Sequence, residues 1–138
     1  MSSGGPLSDD RVPRGDETIL LVEDTDPLRE VVREILEAQG YAVLPAARGE
    51  EALGLAANYQ APIHLLLTDL MLPSISGLDL ARLVSALRPE IRVLYMSGYS
   101  EGAHQEGVLG DALLEKPFAP DALARAVRRA LDGPVPRG

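Results

Sequence analysis

The chain reads as an α/β protein, a parallel sheet of five strands with helices covering both faces. Three observations predict it. Five short apolar runs, TILLV, YAVL, IHLLLTD, IRVLYMS and DALLE, alternate with stretches of helical periodicity. The runs are apolar at successive positions, the pattern of strands buried on both faces, as parallel sheets require. Polar residues stand at the ends of four of the runs: Glu23 and Asp24, then Asp69, then Ser97, then Glu115 and Lys116. Ligands of open parallel sheets bind beyond those ends.

At 138 residues, with 46% hydrophobic and 25% charged, the chain suits one domain with a substantial core. It has no cysteine, which excludes disulfides and thiolate metal sites and suits a reducing compartment, so the expected location is cytoplasmic. No apolar run approaches the roughly 20 residues of a membrane span. The N-terminal MSSGGPLSDD lacks the basic-then-apolar pattern of a leader, and no membrane contact is expected of this segment. A net charge of −8 argues against sequence-blind binding of nucleic acid. It favours a cation wherever several acids converge.

Taken in order, residues 1–17 are rich in Gly, Ser, Pro and Asp and are expected to form a flexible tail or linker. Residues 132–138 read the same way, which leaves 18–131 as the folded domain. TILLV is the first strand. DPLREVVREILEAQG then places Leu28, Val31, Val32, Ile35 and Leu36 at helical spacing. Asp26 is its expected N-cap, Pro27 fits the first turn, and Gly40 stops it. YAVL is the second strand and GEEALGLAANY a helix of small residues. IHLLLTD is the third strand, followed by the helix GLDLARLVSALRP. IRVLYMS and DALLE complete the sheet. PDALARAVRRALDG closes the chain as a helix with Leu123, Val127, Ala130 and Leu131 on one face. His64 reads as a packed or edge histidine and His104 as a solvated one.

One segment breaks the rhythm. GYSEGAHQEGVLG carries Gly98, Gly102, Gly107 and Gly110 between the fourth and fifth strands. Each glycine inside a helix costs about 0.5–1 kcal/mol relative to alanine, so a fourth helix here should be short, frayed or mobile. A tolerant surface loop and an element that needs two conformations both account for it.

If the strands are neighbours, three carboxylates, a hydroxyl and an ammonium share one crevice. Clustered acids repel and demand a cation, and hard oxygen donors without His or Cys suggest Mg²⁺. A carboxylate can act as a nucleophile toward phosphorus and form an acyl phosphate. A lysine would neutralise the transferring group, and the Ser97 hydroxyl could bind one of its oxygens. On this reading Asp69 receives phosphate. A single Asp at a strand end is more often a turn former or cap. Polar groups at four strand ends in this order are harder to assign to turn chemistry.

Four segments carry a resemblance. LLVEDTDPLR, LLLTDLMLPSISG, YMSGYS and LLEKPFAPDAL resemble, in order, the conserved segments of response-regulator receiver domains of two-component signalling. The likeness covers about residues 18–131. It implies a doubly wound, flavodoxin-like three-layer sandwich whose five parallel strands run in the order 2-1-3-4-5. It implies Mg²⁺ held by Asp24 and Asp69, by Glu23 mostly through water, and by the backbone carbonyl of Met71. Asp69 would be the phosphoacceptor, with Ser97 and Lys116 as its catalytic partners. The donor would be a phosphohistidine on a histidine kinase or a histidine phosphotransfer domain. The domain would catalyse its own phosphorylation and dephosphorylation without being a kinase. Ser97 would then move toward the phosphoryl group and remodel the face of a fourth helix, the fifth strand and the fifth helix.

Departures accompany the likeness. The acidic pair is Glu–Asp rather than Asp–Asp, Ser97 stands in place of the commoner Thr, and Leu113 occupies a place often held by Phe or Tyr, for which Tyr99 could partly substitute. Ala119 is a poor N-cap before Pro120. The SGY and EKPFAPDAL phrasing is most similar to receivers of hybrid sensor kinases, and a homodimer is left open.

Two other classes compete. A haloacid-dehalogenase-like phosphatase also forms a phospho-aspartate, but expects an Asp two residues after the nucleophile, where this chain has Met71. A flavodoxin-like cofactor binder wants a phosphate loop after the first strand, where EDTDP would repel phosphate. A non-phosphorylated pseudo-receiver, acting only as an interaction module, is a third reading, opposed by the intact acid, serine and lysine set.

Overall fold

Every residue of the strand Leu65–Asp69 is buried, because strands flank it on both sides and helices cover both its faces. The computed structural model describes residues 13–98 and 110–134. In chain order the elements are β1 (Thr18–Val22), α1 (Asp26–Ala38), β2 (Ala42–Ala46), α2 (Gly49–Asn58), β3 (Leu65–Asp69), α3 (Gly77–Leu87) and β4 (Arg92–Ser97). A single 3₁₀ turn (Gly110–Ala112), β5 (Leu113–Glu115) and α4 (Pro120–Asp132) follow. All strand pairs are parallel and the sheet order is β2-β1-β3-β4-β5, the doubly wound order expected.

The unbroken apolar runs feed two cores. Leu20, Val22 and Leu66 point to one face, where Ala52 and Ala56 of α2 and Leu80 and Val84 of α3 meet them. Ile19, Leu21, Leu65 and Leu67 point to the other, against Val32 and Leu36 of α1 and Leu123 and Val127 of α4. Successive strand residues alternate between faces, so a strand covered on both sides must be apolar throughout. Each fully buried Leu or Ile contributes roughly 1.5–3 kcal/mol.

Several local expectations are corrected. Asp26 is the first residue of α1, not its cap: Thr25 holds the cap position without a side-chain bond, and the Asp26 carboxylate takes a hydrogen bond from Arg29 instead. Val31 is 51% exposed, at the margin of the apolar stripe rather than within it. The second strand runs on through Pro45, tolerated because β2 is an edge strand and needs no second ladder partner. Gly40 does end α1, with φ +104°, a conformation other residues adopt at a penalty.

Ordered contacts begin before Thr18. Gly15 N–H donates to Gln39 O at 3.0 Å, and Arg128 Nη2 donates to Glu17 Oε2 at 2.7 Å. A β-carbon on Gly40 would lie 2.2 Å from Gly15 O, so the glycine also makes room for this strap. Composition had placed residues 14–17 in a flexible tail. The contacts that hold them come from Gln39, just past α1, and from Arg128 within α4, which composition does not display. His64 is a packed histidine: its Nδ1 accepts the Thr18 N–H at 2.9 Å. The glycine-rich segment falls largely at residues 99–109, so its expected mobility and fourth helix, with Tyr99 and His104, lie outside the described residues. Among the described residues no helix is long and apolar enough to cross a membrane.

Candidate functional site

β1, β3, β4 and β5 are consecutive neighbours in the sheet, and their carboxyl ends bring the polar residues together. Glu23 follows β1 directly and keeps the ladder going, its N–H donating to Ala46 O at 3.1 Å. It is fully buried, whereas Asp24 beside it is exposed. Asp69 is the last residue of β3 and buried. It pairs in register with Met96, which places Ser97 one residue further along the neighbouring strand. Lys116 follows β5, its N–H bonded to Ser97 O at 2.7 Å, and the peptide bond to Pro117 is cis.

The side chains meet across these ends. Lys116 Nζ donates to Asp69 Oδ2 at 2.9 Å and to Glu23 Oε1 at 3.0 Å. The second Glu23 oxygen accepts the Thr25 N–H at 3.0 Å, and Asp69 Oδ1 accepts the Met71 N–H at 3.3 Å. One oxygen from each of Glu23, Asp24 and Asp69 lies within 4.8 Å of the others. Met71 sits in the loop after β3, two residues past Asp69, with its side chain exposed.

Electrostatics follow from burial. Desolvation pushes the Glu23 carboxyl above the usual range, against the Lys116 and Thr25 hydrogen bonds. Desolvation also acts to lower Lys116, but its hydrogen bonds to Asp69 and Glu23 outweigh it and hold the ammonium above its ordinary value. Three carboxylates against one ammonium leave a formal excess of two negative charges. Ser97 Oγ is buried and has no hydrogen-bond partner among the described residues, a polar atom aligned with the strand ends and free to accept or donate there.

This donor set fits a magnesium ion. It offers hard carboxylate oxygens without His or Cys, an uncompensated negative charge, and one exposed acid through which a hydrated ion can be approached.

Gly77 explains how Asp69 is held. The start of α3 presses so closely on the end of β3 that a β-carbon there would lie 2.2 Å from Asp69 O, while Gly77 N–H donates to Leu70 O at 2.7 Å. Ser76 caps that helix, its Oγ accepting the Asp79 N–H at 3.1 Å. Sequence reasoning missed two residues at the site. Thr68 is buried and its hydroxyl donates to Asp69 O at 3.0 Å. Arg29 donates through Nη1 to Glu23 O at 2.7 Å. Neither had a signal in the chain: Thr68 reads as one more strand residue and Arg29 as one more exposed helical cation.

Comparisons with known proteins point to one family. The family model of the response regulator receiver domain matches residues 19–128. The sensor kinase CckA of Brucella abortus (strain 2308) is 34% identical over 121 residues, which cover 86% of this chain and 13% of that protein. The response regulator receiver protein CpdR of the same organism is 28% identical over 116 residues, covering 82% of this chain and 95% of the relative. The solved receiver domain of the hybrid histidine kinase CckA superposes with a TM-score of 0.69 at 33% identity, over 83% of this chain and 99% of that one. This chain therefore spans a small part of some relatives and nearly the whole of others. With the strand order, the acidic cluster and the strand-end lysine in place, the chain belongs to the response regulator receiver domain family.

Proposed function

We propose that Asp69 accepts a phosphoryl group from a phosphohistidine on a histidine kinase or a phosphotransfer domain. The observation that carries this is the Lys116 ammonium held 2.9 Å from a buried Asp69 carboxylate at a strand end. In the transfer, an Asp69 oxygen attacks phosphorus, the P–N bond to the donor imidazole breaks, and that nitrogen takes up a proton. The product is a mixed carboxylic–phosphoric anhydride. Lys116 stays charged and balances the oxygens of the transferring group, and Ser97 Oγ supplies a hydroxyl to one of them.

Mg²⁺ would be held by Asp24, Asp69, the Met71 carbonyl and, through water, Glu23, and when bound it supplies charge neutralisation to the phosphoryl oxygens. Hydrolysis of the acyl phosphate by water resets the domain. The cytoplasm is the fitting compartment, since ATP that charges a donor histidine is found there. The face that switches on phosphorylation includes β5 and α4. Met71 in place of an acid two residues after Asp69 speaks against a dehalogenase-like phosphatase.

Incubation with a small phosphodonor such as acetyl phosphate and Mg²⁺ should give an acid-stable, alkali-labile modification on the wild type and none on Asp69→Asn. Modification that persists on Asp69→Asn would remove Asp69 from the role.

A further inference from the structure

The turn that carries Glu23 and Asp24 is held from several directions. Glu23 N–H is tied to Ala46 O, and the Glu23 carboxylate takes the Thr25 N–H. The remaining polar group of this fully buried residue is its backbone carbonyl, which accepts Arg29 Nη1 at 2.7 Å. The other arm of the same guanidinium reaches the carboxylate of Asp26. Arg29 thus grips the chain one residue before Asp24 and again two residues after it. Its own side chain is largely buried, at 16% exposure. The Arg29 N–H also closes the first helical bond, to Thr25 O at 2.9 Å, so the gripping residue is rigidly part of α1.

From this we infer that Arg29 is a positioning residue for the divalent-cation site: its planar fork fixes the direction in which Asp24 presents its carboxylate. The inference rests on the Mg²⁺ reading above. A planar guanidinium spans two acceptors at a fixed angle, which an ammonium cannot. Groups that orient metal ligands without touching the metal commonly set affinity, and their loss weakens binding by roughly 10–100-fold.

The sign of the effect separates this role from plain electrostatics. Arg29 is a cation near a cation site, so removing its charge favours the divalent ion on Coulomb grounds. Loss of positioning does the reverse.

The experiment is calorimetric titration of MgCl₂ into the wild type, Arg29→Ala and Arg29→Lys at one ionic strength, with denaturant melts of each in the absence of Mg²⁺. Weakening of Mg²⁺ binding by about tenfold in both variants supports the inference, Arg29→Lys being the decisive arm because it keeps the charge and loses the fork. Binding that is unchanged or tighter in Arg29→Ala overturns it, as does a variant that loses stability while its folded form keeps wild-type affinity. Should Arg29→Ala fail to fold, Arg29→Lys alone decides. Absence of Mg²⁺ binding by the wild type would instead sink the metal reading, and this inference with it.

Discussion

Lys116 and Asp69, 47 residues apart in the chain, meet at 2.9 Å where the ends of β5 and β3 converge. The same ammonium reaches Glu23 at 3.0 Å, so one cation serves two buried acids from two other strand ends. Replacing it leaves a fully buried Glu23 with the Thr25 N–H but no cation. Lys116→Ala should therefore lower stability by about 2–3 kcal/mol in Mg²⁺-free buffer, less than for a fully enclosed pair because a fifth of the lysine side chain is exposed. Urea denaturation checks it, and an unchanged midpoint would show that the pair holds nothing together. The variant should still accept phosphate, poorly, while failing to change partner binding.

Ser97 predicts the opposite sign. Its buried hydroxyl has no partner among the described residues, and burying such a group unpaired is unfavourable. Ser97→Ala should leave the unmodified domain as stable or up to about 1 kcal/mol more stable. Phosphorylation should then stabilise the variant less than the wild type. Thermal melts with and without a small phosphodonor measure both, and equal gains in the two proteins would exclude Ser97 from the phosphorylated site.

Gly77 is a packing prediction with a functional readout. A methyl group 2.2 Å from Asp69 O must push α3 away from the end of β3. Gly77→Ala should cost about 1–3 kcal/mol, as overpacking does, and slow phosphorylation by displacing Asp69. A variant with normal stability and normal phosphorylation would show that the close approach has no consequence.

Glu17 gives the pH dependence. The hydrogen bond from Arg128 is the main cause holding its carboxyl below the ordinary value. A depressed carboxyl stabilises the fold at neutral pH, above its unfolded value. That stabilisation is lost as pH falls through the lower folded value. Glu17→Gln should lose about 0.5–1 kcal/mol at pH 7, and its stability should fall less steeply than the wild type's below about pH 5. Denaturant melts from pH 7 to pH 3 test this, and parallel curves would rule the pair out as an acid-sensitive contact.

Much of this protein was legible in the order of its residues. Continuous apolar runs such as LLL in β3 require cover on both faces, and alternation with helical stretches then requires parallel strands, both local properties of the chain. Asp69 and Lys116 could be noticed because each ends a run of apolar residues, where desolvation makes a charge conspicuous. What the order of residues left undecided was distance. That one lysine reaches both Glu23 and Asp69, that Gly77 is small for the sake of Asp69 O, and that Arg29 grips the turn before Asp24 all depend on strand register and helix docking. The same holds for Glu17, assigned to a tail until Arg128, 111 residues away, was seen to bind it. Hydrogen bonds act over a few ångströms of space and carry no trace of the separation along the chain, so only the folded structure could assign them.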